Sequence, residues 1–390
     1  MTLEPQPENI ELARQTPVWC LLCGSYGLVD VLLNVLLFAP YGAGLRLAGL
    51  RGRPLLLVLF CTTLAVELLQ MGVIPGRDAS VSDLLTNSGG GLLGAWLAAR
   101  WDHVIDPGPR ARRRLVAAGM GAWVVVMVFS AWAVGRQLPR RTYYGQWAPS
   151  LAGLQHFEGE VLAVDLEGMQ MPRSRMDHWR RVRLALSRDT VHLTVRVVPA
   201  EPTRGLAPIF NITDIRGADI LMLGQYRDDI MFRLRTRSRA LGLRAPTLRV
   251  PNALPHPGDT VTIRASWSDD AMQVMVLGRG GVVLREQTLH AALGWTLPLP
   301  YEYAFGGETT LLTMLWIAGL VFPLAYWSRG LGPKWDLALA GVVVLGLAGT
   351  RWLTSVAVVP WPAWLAAAIG AAAGRRAAQW VLMARRAALP

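Results

Sequence analysis

The sequence predicts a mixed fold, in which an α-helical transmembrane bundle carries an inserted all-β jelly-roll sandwich. Apolar runs long enough to cross a bilayer lie toward both ends of the chain. Short basic clusters stand beside those runs. Between 140 and 305 no apolar run reaches spanning length, and apolar and polar residues alternate instead.

Composition favours a membrane protein over a soluble one. Of 390 residues, 52% are hydrophobic and 17% are charged, whereas soluble domains carry about 25% charged residues. The net charge of +12 is also compatible with nucleic-acid binding, but the arginines form short clusters next to apolar runs, as in the positive-inside pattern. We therefore expect membrane lipids as partners and no nucleic acid. The clusters are Arg46, Arg51 and Arg53; Arg110, Arg112, Arg113 and Arg114; Arg375 and Arg376; and Arg385 and Arg386.

Spans of about 20 apolar residues divide the chain into three parts. The first part, 18–136, is a helical domain of about four spans, and the last, 309–384, is a membrane region of two to three spans. Pro360 and Pro362 interrupt the final run, so we expect no continuous helix there. The predicted spans are 18–47, 54–71, 82–100, 115–134, 309–327, 337–350 and 352–374.

Placing the basic loops in the cytoplasm fixes the orientation of the middle region. The loops after the first and third spans are both rich in arginine, so both are expected on the cytoplasmic side. The region 140–305 then lies outside. The sequence predicts a multi-pass protein of the bacterial cytoplasmic (inner) membrane with an extracytoplasmic β-domain.

The middle region has the period-2 alternation of half-buried strands. It is clearest in VHLTVRVV at 191–198, DDIMFRLRTRS at 228–238 and DTVTIRASW at 259–267. Several such strands without intervening helix patterns indicate an antiparallel sandwich. The region contains no cysteine, so its fold cannot depend on disulfides. Arg233, Arg235 and Arg237 lie on the polar face of one strand, which is either solvated or a surface for an anionic polymer or lipid headgroups.

Polar residues cluster at the ends of the first three spans. Asp30 and Asn34 share a face of the first helix, Glu67 and Gln70 of the second, and Asp83 and Asn87 of the third. Arg77 lies in the connecting loop. Ionisable groups at membrane depth normally face a bundle interior or a wet cavity, so these seven residues are the predicted ligand-binding site.

Structural roles remain open for each residue alone. Asp83 suits a helix N-terminus, Arg77 suits a structural ion pair, and Glu67 can reach the interface. If the site is catalytic, Glu67 or Asp83 is the candidate general base and Arg77 the candidate oxyanion or phosphate ligand. No cofactor or metal is expected, since the histidines show no ligand spacing.

This pattern resembles the VanZ family of membrane proteins. The resemblance rests on Asp30-x-x-x-Asn34 followed by FAPYG, on ELLQ at 67–70 and on GRDASVSDLLTNSGGGLLG at 76–94. It covers about residues 27–135. The family is named for a protein linked to low-level teicoplanin resistance, so the resemblance implies a role in the cell envelope and does not specify a reaction.

The middle region is similar in texture to concanavalin A/laminin G-like domains, notably at LAPIFNI and ILMLGQ. This similarity implies a lectin-like domain without assigning sugar-contacting residues. The expected function is binding of an envelope glycan or a lipid-linked saccharide, with a link to glycopeptide tolerance. The alternative is an enzyme that acts on a lipid-linked envelope precursor. A structural partner in an envelope assembly is a third possibility.

Overall fold

A computed structural model describes residues 27–73, 81–151, 154–173, 176, 178–254, 256–299 and 308–387. The predicted fold class is confirmed, because helices flank two antiparallel sheets that form a β-sandwich. Ten α-helices lie in the described residues: α1 Gly27–Leu47, α2 Gly52–Val73, α3 Val81–Ala99, α4 Trp101–Ile105, α5 Pro109–Val134, α6 Trp179–Leu186, α7 Thr310–Ser328, α8 Pro333–Ala348, α9 Thr350–Leu353 and α10 Trp361–Ala387.

Four of the described helices are long and apolar enough to span a membrane, namely α1, α2, α5 and α7. Helix α3 forms where the third span was predicted, but it is not among these four. Its first eleven residues contain Asp83, Asn87 and three consecutive glycines, which lower its apolar character. The number of crossings in 309–384 stays a prediction, since only α7 qualifies in the described part of that region.

Glycines bring α3 into backbone contact with α1. A Cβ atom added to Gly94 would overlap the carbonyl oxygen of Ala39, and one added to Gly42 would overlap that of Gly91. A Cβ on Gly90 would lie 2.6 Å from the carbonyl oxygen of Val35. Small residues allow this approach in membranes, where packing and hydrogen bonds replace the hydrophobic effect as the force between helices.

The same device joins α7 and α10. A Cβ on Gly370 would overlap the backbone of Ala318, and one on Gly374 would overlap that of Phe322. Both pairs are spaced four residues apart, so one face of α10 follows one face of α7 over a full turn.

The contacts divide the chain into two compact units. The first contains 1–107, 151–154 and 239–244, and the second contains 108–150, 155–238 and 245–390. Helix α5 therefore groups with the sandwich and the C-terminal helices. The predicted domain boundaries of 18–136, 140–305 and 309–384 stay a prediction.

Two antiparallel sheets build the sandwich. The five-stranded sheet has the order β1-β5-β6-β7-β8, and the six-stranded sheet has the order β11-β10-β9-β4-β2-β3. The strands are β1 Tyr143–Trp147, β2 Glu160–Leu166, β3 Met169–Gln170, β4 Val191–Val198, β5 Leu206–Asp214, β6 Asp219–Tyr226, β7 Asp229–Leu234, β8 Thr247–Val250, β9 Val261–Trp267, β10 Ala271–Gly278 and β11 Gly281–Thr288.

The two sheets differ in how their outer faces are covered. In β4 and β9 buried and accessible residues alternate, as the sequence predicts. Strand β5 is buried at all nine positions. The expectation of a solvated face on β7 is wrong: Met231 is buried and Arg233 is half-buried. Arg233 Nε donates to Thr247 Oγ1 at 3.1 Å, so its polar head is held against the sheet.

The predicted span 352–374 is interrupted near Pro360 and Pro362, as expected, since α9 ends at Leu353 and α10 begins at Trp361. Helix α10 then continues past the predicted end to Ala387. Proline is tolerated in the first turn of a helix, where its missing N–H has no intrahelical partner to lose. The two prolines thus mark the start of this helix.

Contacts between described residues hold the sandwich to helices on either side of it in the sequence. Helix α5 ends at Val134. The carbonyl of the next residue, Gly135, accepts a hydrogen bond of 2.9 Å from the peptide N–H of Arg237 in the sandwich. On the other side, His290 forms a parallel β-bridge with Ala357. A 3₁₀-helix, Ala291–Thr296, follows His290 in the chain. Within it, Trp295 Nε1 donates to Thr313 Oγ1 of α7 at 3.0 Å.

The glycine contact between α1 and α3 gives a matched pair of variants. Gly94→Ala should lower the free energy of unfolding by about 2–3 kcal/mol, because the added methyl group has no room against Ala39. Gly89→Ala, on the same helix, meets nothing within 4 Å and should change stability by under about 1 kcal/mol. Detergent-titrated unfolding in mixed micelles measures both. Equal losses would mean that the helices do not touch at Gly94.

Burial of His290 predicts loss of stability in acid. The side chain is 4% exposed, and desolvation lowers its pKa from 6.5 to about 4. Because the unfolded chain binds the proton more tightly, the free energy of unfolding should fall as pH drops from about 6.5 to 4, by up to about 3 kcal/mol. Thermal melts from pH 7 to pH 4 test this with His290→Gln, which should flatten the dependence. Exposed His192→Gln is the control and should leave it unchanged.

Candidate functional site

A hydrogen bond between the first and third helices brings together two residues of the predicted site. Asn34 Nδ2 on α1 donates to Asp83 Oδ1 on α3 at 2.7 Å. The same nitrogen approaches Thr86 Oγ1 at 3.3 Å, and that hydroxyl donates to the backbone oxygen of Asp83 at 3.4 Å. Asp83 lies in the first turn of α3, where the helix dipole favours a negative charge.

Helix α2 contributes one buried stripe. Leu55, Leu59, Thr63 and Glu67 are buried at intervals of four residues, while most other residues of this helix are accessible. Glu67 is 5% exposed and Thr63 is fully buried. Thr63 Oγ1 donates to the carbonyl of Leu59 at 2.9 Å, which satisfies the hydroxyl within its own helix.

Packing of α2 on α3 sets the level of Glu67. A Cβ on Gly91 would lie 2.5 Å from Leu59 Cδ2, so these two residues face each other. Helices α2 and α3 are neighbours joined by seven residues, so they run antiparallel. Starting from the facing pair Leu59 and Gly91, four residues forward along α2 and four back along α3 lead to Thr63 and Asn87, which are therefore level with each other. A second step places Glu67 level with Asp83.

The other predicted residues are placed differently. Asn87 is 1% exposed, and its Oδ1 has no hydrogen-bond partner among the described residues. Asp30 lies one turn before Asn34 and is exposed. The side chain of Gln70 and the whole of Arg77 lie outside the described residues. Whether all seven residues form one pocket stays a prediction.

Two hydroxyl residues of this cluster were missed by the sequence analysis. Thr86 lies three residues after Asp83, and Thr63 lies four residues before Glu67. Both spacings keep the side chains on the face already identified, so the signal was present. Threonine in an apolar helix was not counted because its hydroxyl commonly bonds to a carbonyl of its own helix, as Thr63 does.

The cluster offers carboxylates, amides and hydroxyls in an apolar surrounding. Such groups hydrogen-bond to the hydroxyls, amides and phosphates of a polar headgroup. Nowhere in the described part of the chain do three or more His, Cys, Asp or Glu residues lie where they could hold a metal ion.

The comparison with known proteins finds one family over the part of the chain that contains the predicted site. Residues 3–102 match the family model described as VanZ/LLP1. The match includes every residue of the predicted site. It covers about a quarter of the 390 residues and stops before the sandwich. No curated protein and no solved structure gives a significant match to the chain.

The family match and the four apolar helices lead to the same conclusion about where the chain resides. The chain is a multi-pass membrane protein. The VanZ/LLP1 match further places it in the cell envelope. The sandwich is a second structural element to which no lectin family is assigned.

Proposed function

We propose that this chain binds an envelope glycan or a lipid-linked saccharide at the outer face of a bacterial inner membrane. The observation that carries the proposal is the Asn34–Asp83 hydrogen bond with buried Glu67 at the same level. The polar cluster engages the headgroup, and the sandwich engages the saccharide. Such binding links the protein to glycopeptide tolerance, because those antibiotics act on envelope precursors carrying saccharide.

The energetic cost of the cluster supports a functional role. An ionisable residue at the centre of a membrane helix costs about 2.5–3.5 kcal/mol in insertion experiments, and nearer a helix end, as for Glu67 and Asp83, the cost is smaller but still unfavourable. Packing alone is already supplied by Gly90, Gly91 and Gly94, which need no carboxylate nearby. A bundle that needed only close helix packing would be more stable with apolar residues at positions 67 and 83.

The proposed orientation follows from the basic loops. Helices α1 and α3 run parallel, because Asn34 contacts Asp83 and Ala39 lies against Gly94, further along both helices. The C-terminal ends of α1 and α3, where Arg46 and Arg100 lie, are then on the same side of the membrane. With those arginines in the cytoplasm, the polar cluster faces the outer leaflet.

Catalysis is the second candidate, and buried Glu67 favours it. Burial of a carboxyl group is a common way to prepare a general acid or base. In this alternative Glu67 or Asp83 transfers a proton, and the substrate is a lipid-linked envelope precursor.

A binding experiment tests the proposal. The purified full chain should bind a polyprenyl-diphosphate-linked disaccharide, measured by native mass spectrometry. Glu67→Gln and Asp83→Asn should each weaken binding by about 10-fold, as expected for loss of a charged hydrogen-bond partner. The matched control is Asp102→Asn, on α4 beyond the opposite end of α3, which should bind normally. Equal binding of all four proteins would remove the cluster from the proposal.

The same variants separate binding from catalysis. If the chain is an enzyme, the disaccharide probe should be converted over hours by the unchanged protein. Glu67→Gln should then retain the probe without converting it. Under the binding proposal no protein converts the probe.

Cysteine labelling tests the orientation. In a variant without Cys20, Cys23 and Cys61, a cysteine in place of Arg279, whose side chain is 82% exposed, should react with an impermeant maleimide in intact spheroplasts. A cysteine in place of Lys334, in the first turn of α8, should react only after lysis. The reverse pattern would place the sandwich in the cytoplasm.

A further inference from the structure

One helix of the sandwich is basic and amphipathic, and the proposed function gives it no role. Helix α6, Trp179–Leu186, buries Val182, Ala185 and Leu186 on the core. Its opposite face is accessible and carries Arg180, Arg181 and Leu184, of which Leu184 is 65% exposed. This arrangement, with arginines around one exposed leucine, is typical of helices that lie in a membrane surface.

Charge is concentrated around this helix. Between Pro172 and Thr190 the sequence has six arginines and two aspartates. Arg188 pairs with Glu167 Oε2 at 2.6 Å, which accounts for one of the arginines. Arg180 and Arg181 have no ion-pair partner among the described residues, and Arg180 lies 5.6 Å from the ring centre of Trp179.

One arginine fixes the distance of α6 from the membrane. Arg136 is the second residue after spanning helix α5. Its Nη1 donates to the carbonyls of Leu186 and Arg188 at 3.0 Å each, and its Nε donates to Asp269 Oδ1 at 2.5 Å. The C-terminal end of α6 is therefore held beside the point where the chain leaves the bilayer.

Aromatic and basic residues at the same end of α5 mark the membrane boundary. Trp132 is 40% exposed, and tryptophans at helix ends lie at headgroup level. Arg237 Nη1 donates to the carbonyl of Trp132 at 3.3 Å. The residues from Leu115 to Trp132, at about 1.5 Å each, cover about 27 Å, close to the hydrocarbon thickness of about 30 Å.

We propose that α6 is a membrane-surface element that binds anionic phospholipid headgroups through Arg180 and Arg181, with Leu184 entering the interface. The placement by Arg136 makes the surface reachable, and the positive charge selects anionic over zwitterionic lipid. This site is separate from the polar cluster of α1, α2 and α3. It does not depend on which side of the membrane the sandwich occupies.

A fluorescent probe at position 184 tests the contact. In a full-length variant without native cysteines, Leu184→Cys carries an environment-sensitive dye, and the protein is placed in nanodiscs containing a headgroup-labelled spin quencher. Quenching should be strong in discs with phosphatidylglycerol and weak in pure phosphatidylcholine. Equal quenching in the two, or none in either, would overturn the proposal.

Charge variants test the assignment to these two arginines. In micelles, titration with dioctanoyl-phosphatidylglycerol should show an apparent Kd about 25-fold higher for Arg180→Gln/Arg181→Gln, at about fivefold for each arginine. Arg180→Lys/Arg181→Lys should retain most of the affinity. The matched control, Arg196→Gln/Arg264→Gln, changes two exposed arginines of the six-stranded sheet and should bind normally.

Two further outcomes also decide the proposal. Inorganic phosphate at the same concentrations should not saturate the dye response, since a lipid surface is the predicted ligand. If phosphate saturates it equally well, the site binds free anions and the lipid assignment is wrong. If the control variant loses as much affinity as the α6 variant, the effect is total charge rather than this helix.

Discussion

The backbone contact between α1 and α3 is the constraint on which the polar cluster depends. Without side chains at Gly42, Gly90 and Gly94, the two helices approach closely enough for Asn34 to reach Asp83. A Cβ at any of these positions would overlap the backbone of the facing helix, which opposes the approach that the 2.7 Å hydrogen bond needs. The polar residues thus depend on the glycines, since close packing of the helices lets buried polar groups hydrogen-bond to each other and lowers the cost of burying them in a bilayer.

The second unit solves a different problem, namely how to hold a β-sandwich at the end of a membrane helix. It does so with backbone pairing at Arg237 and Gly135 and with the guanidinium of Arg136, which binds three groups of the sandwich. A fixed guanidinium with several partners restricts orientation more than a single contact does. The sandwich is therefore oriented relative to α5 rather than tethered to it.

Sequence patterns predicted the parts of the structure that have one face buried. In strands β4 and β9 apolar and polar residues alternate in the sequence, and buried and accessible residues alternate in the structure, so both strands were predicted. Strand β5 is buried on both faces, so no alternation marks it, and its LAPIFNI stretch was recognised only by resemblance. The helical periodicity of polar residues placed Asn34 and Asp83 in one predicted site, and these two residues are hydrogen-bonded in the structure.

What sequence patterns missed depends on contacts between distant segments. The expectation of strands without an intervening helix was wrong at WRRVRLAL, which forms the eight-residue helix α6. Its position beside the membrane follows from Arg136, about 50 residues earlier in the chain. Likewise, the half-burial of Arg233 follows from its partner Thr247 on the next strand. Local periodicity contains no information on either contact.

The pairing of the sandwich with chain on both sides of it determines how the protein can be dissected. A fragment cut at 140 and 305 would discard Arg136, which binds the end of α6, and Ala357, whose N–H donates to the carbonyl of Leu289 at 2.8 Å. The second contact comes from beyond α7 and α8, so no continuous soluble fragment contains it. The excised sandwich would expose Leu289 and His290, which are buried in the whole chain. Crystallography of this region is better served by the intact membrane protein, or by a permuted chain that carries 354–359 beside the sandwich.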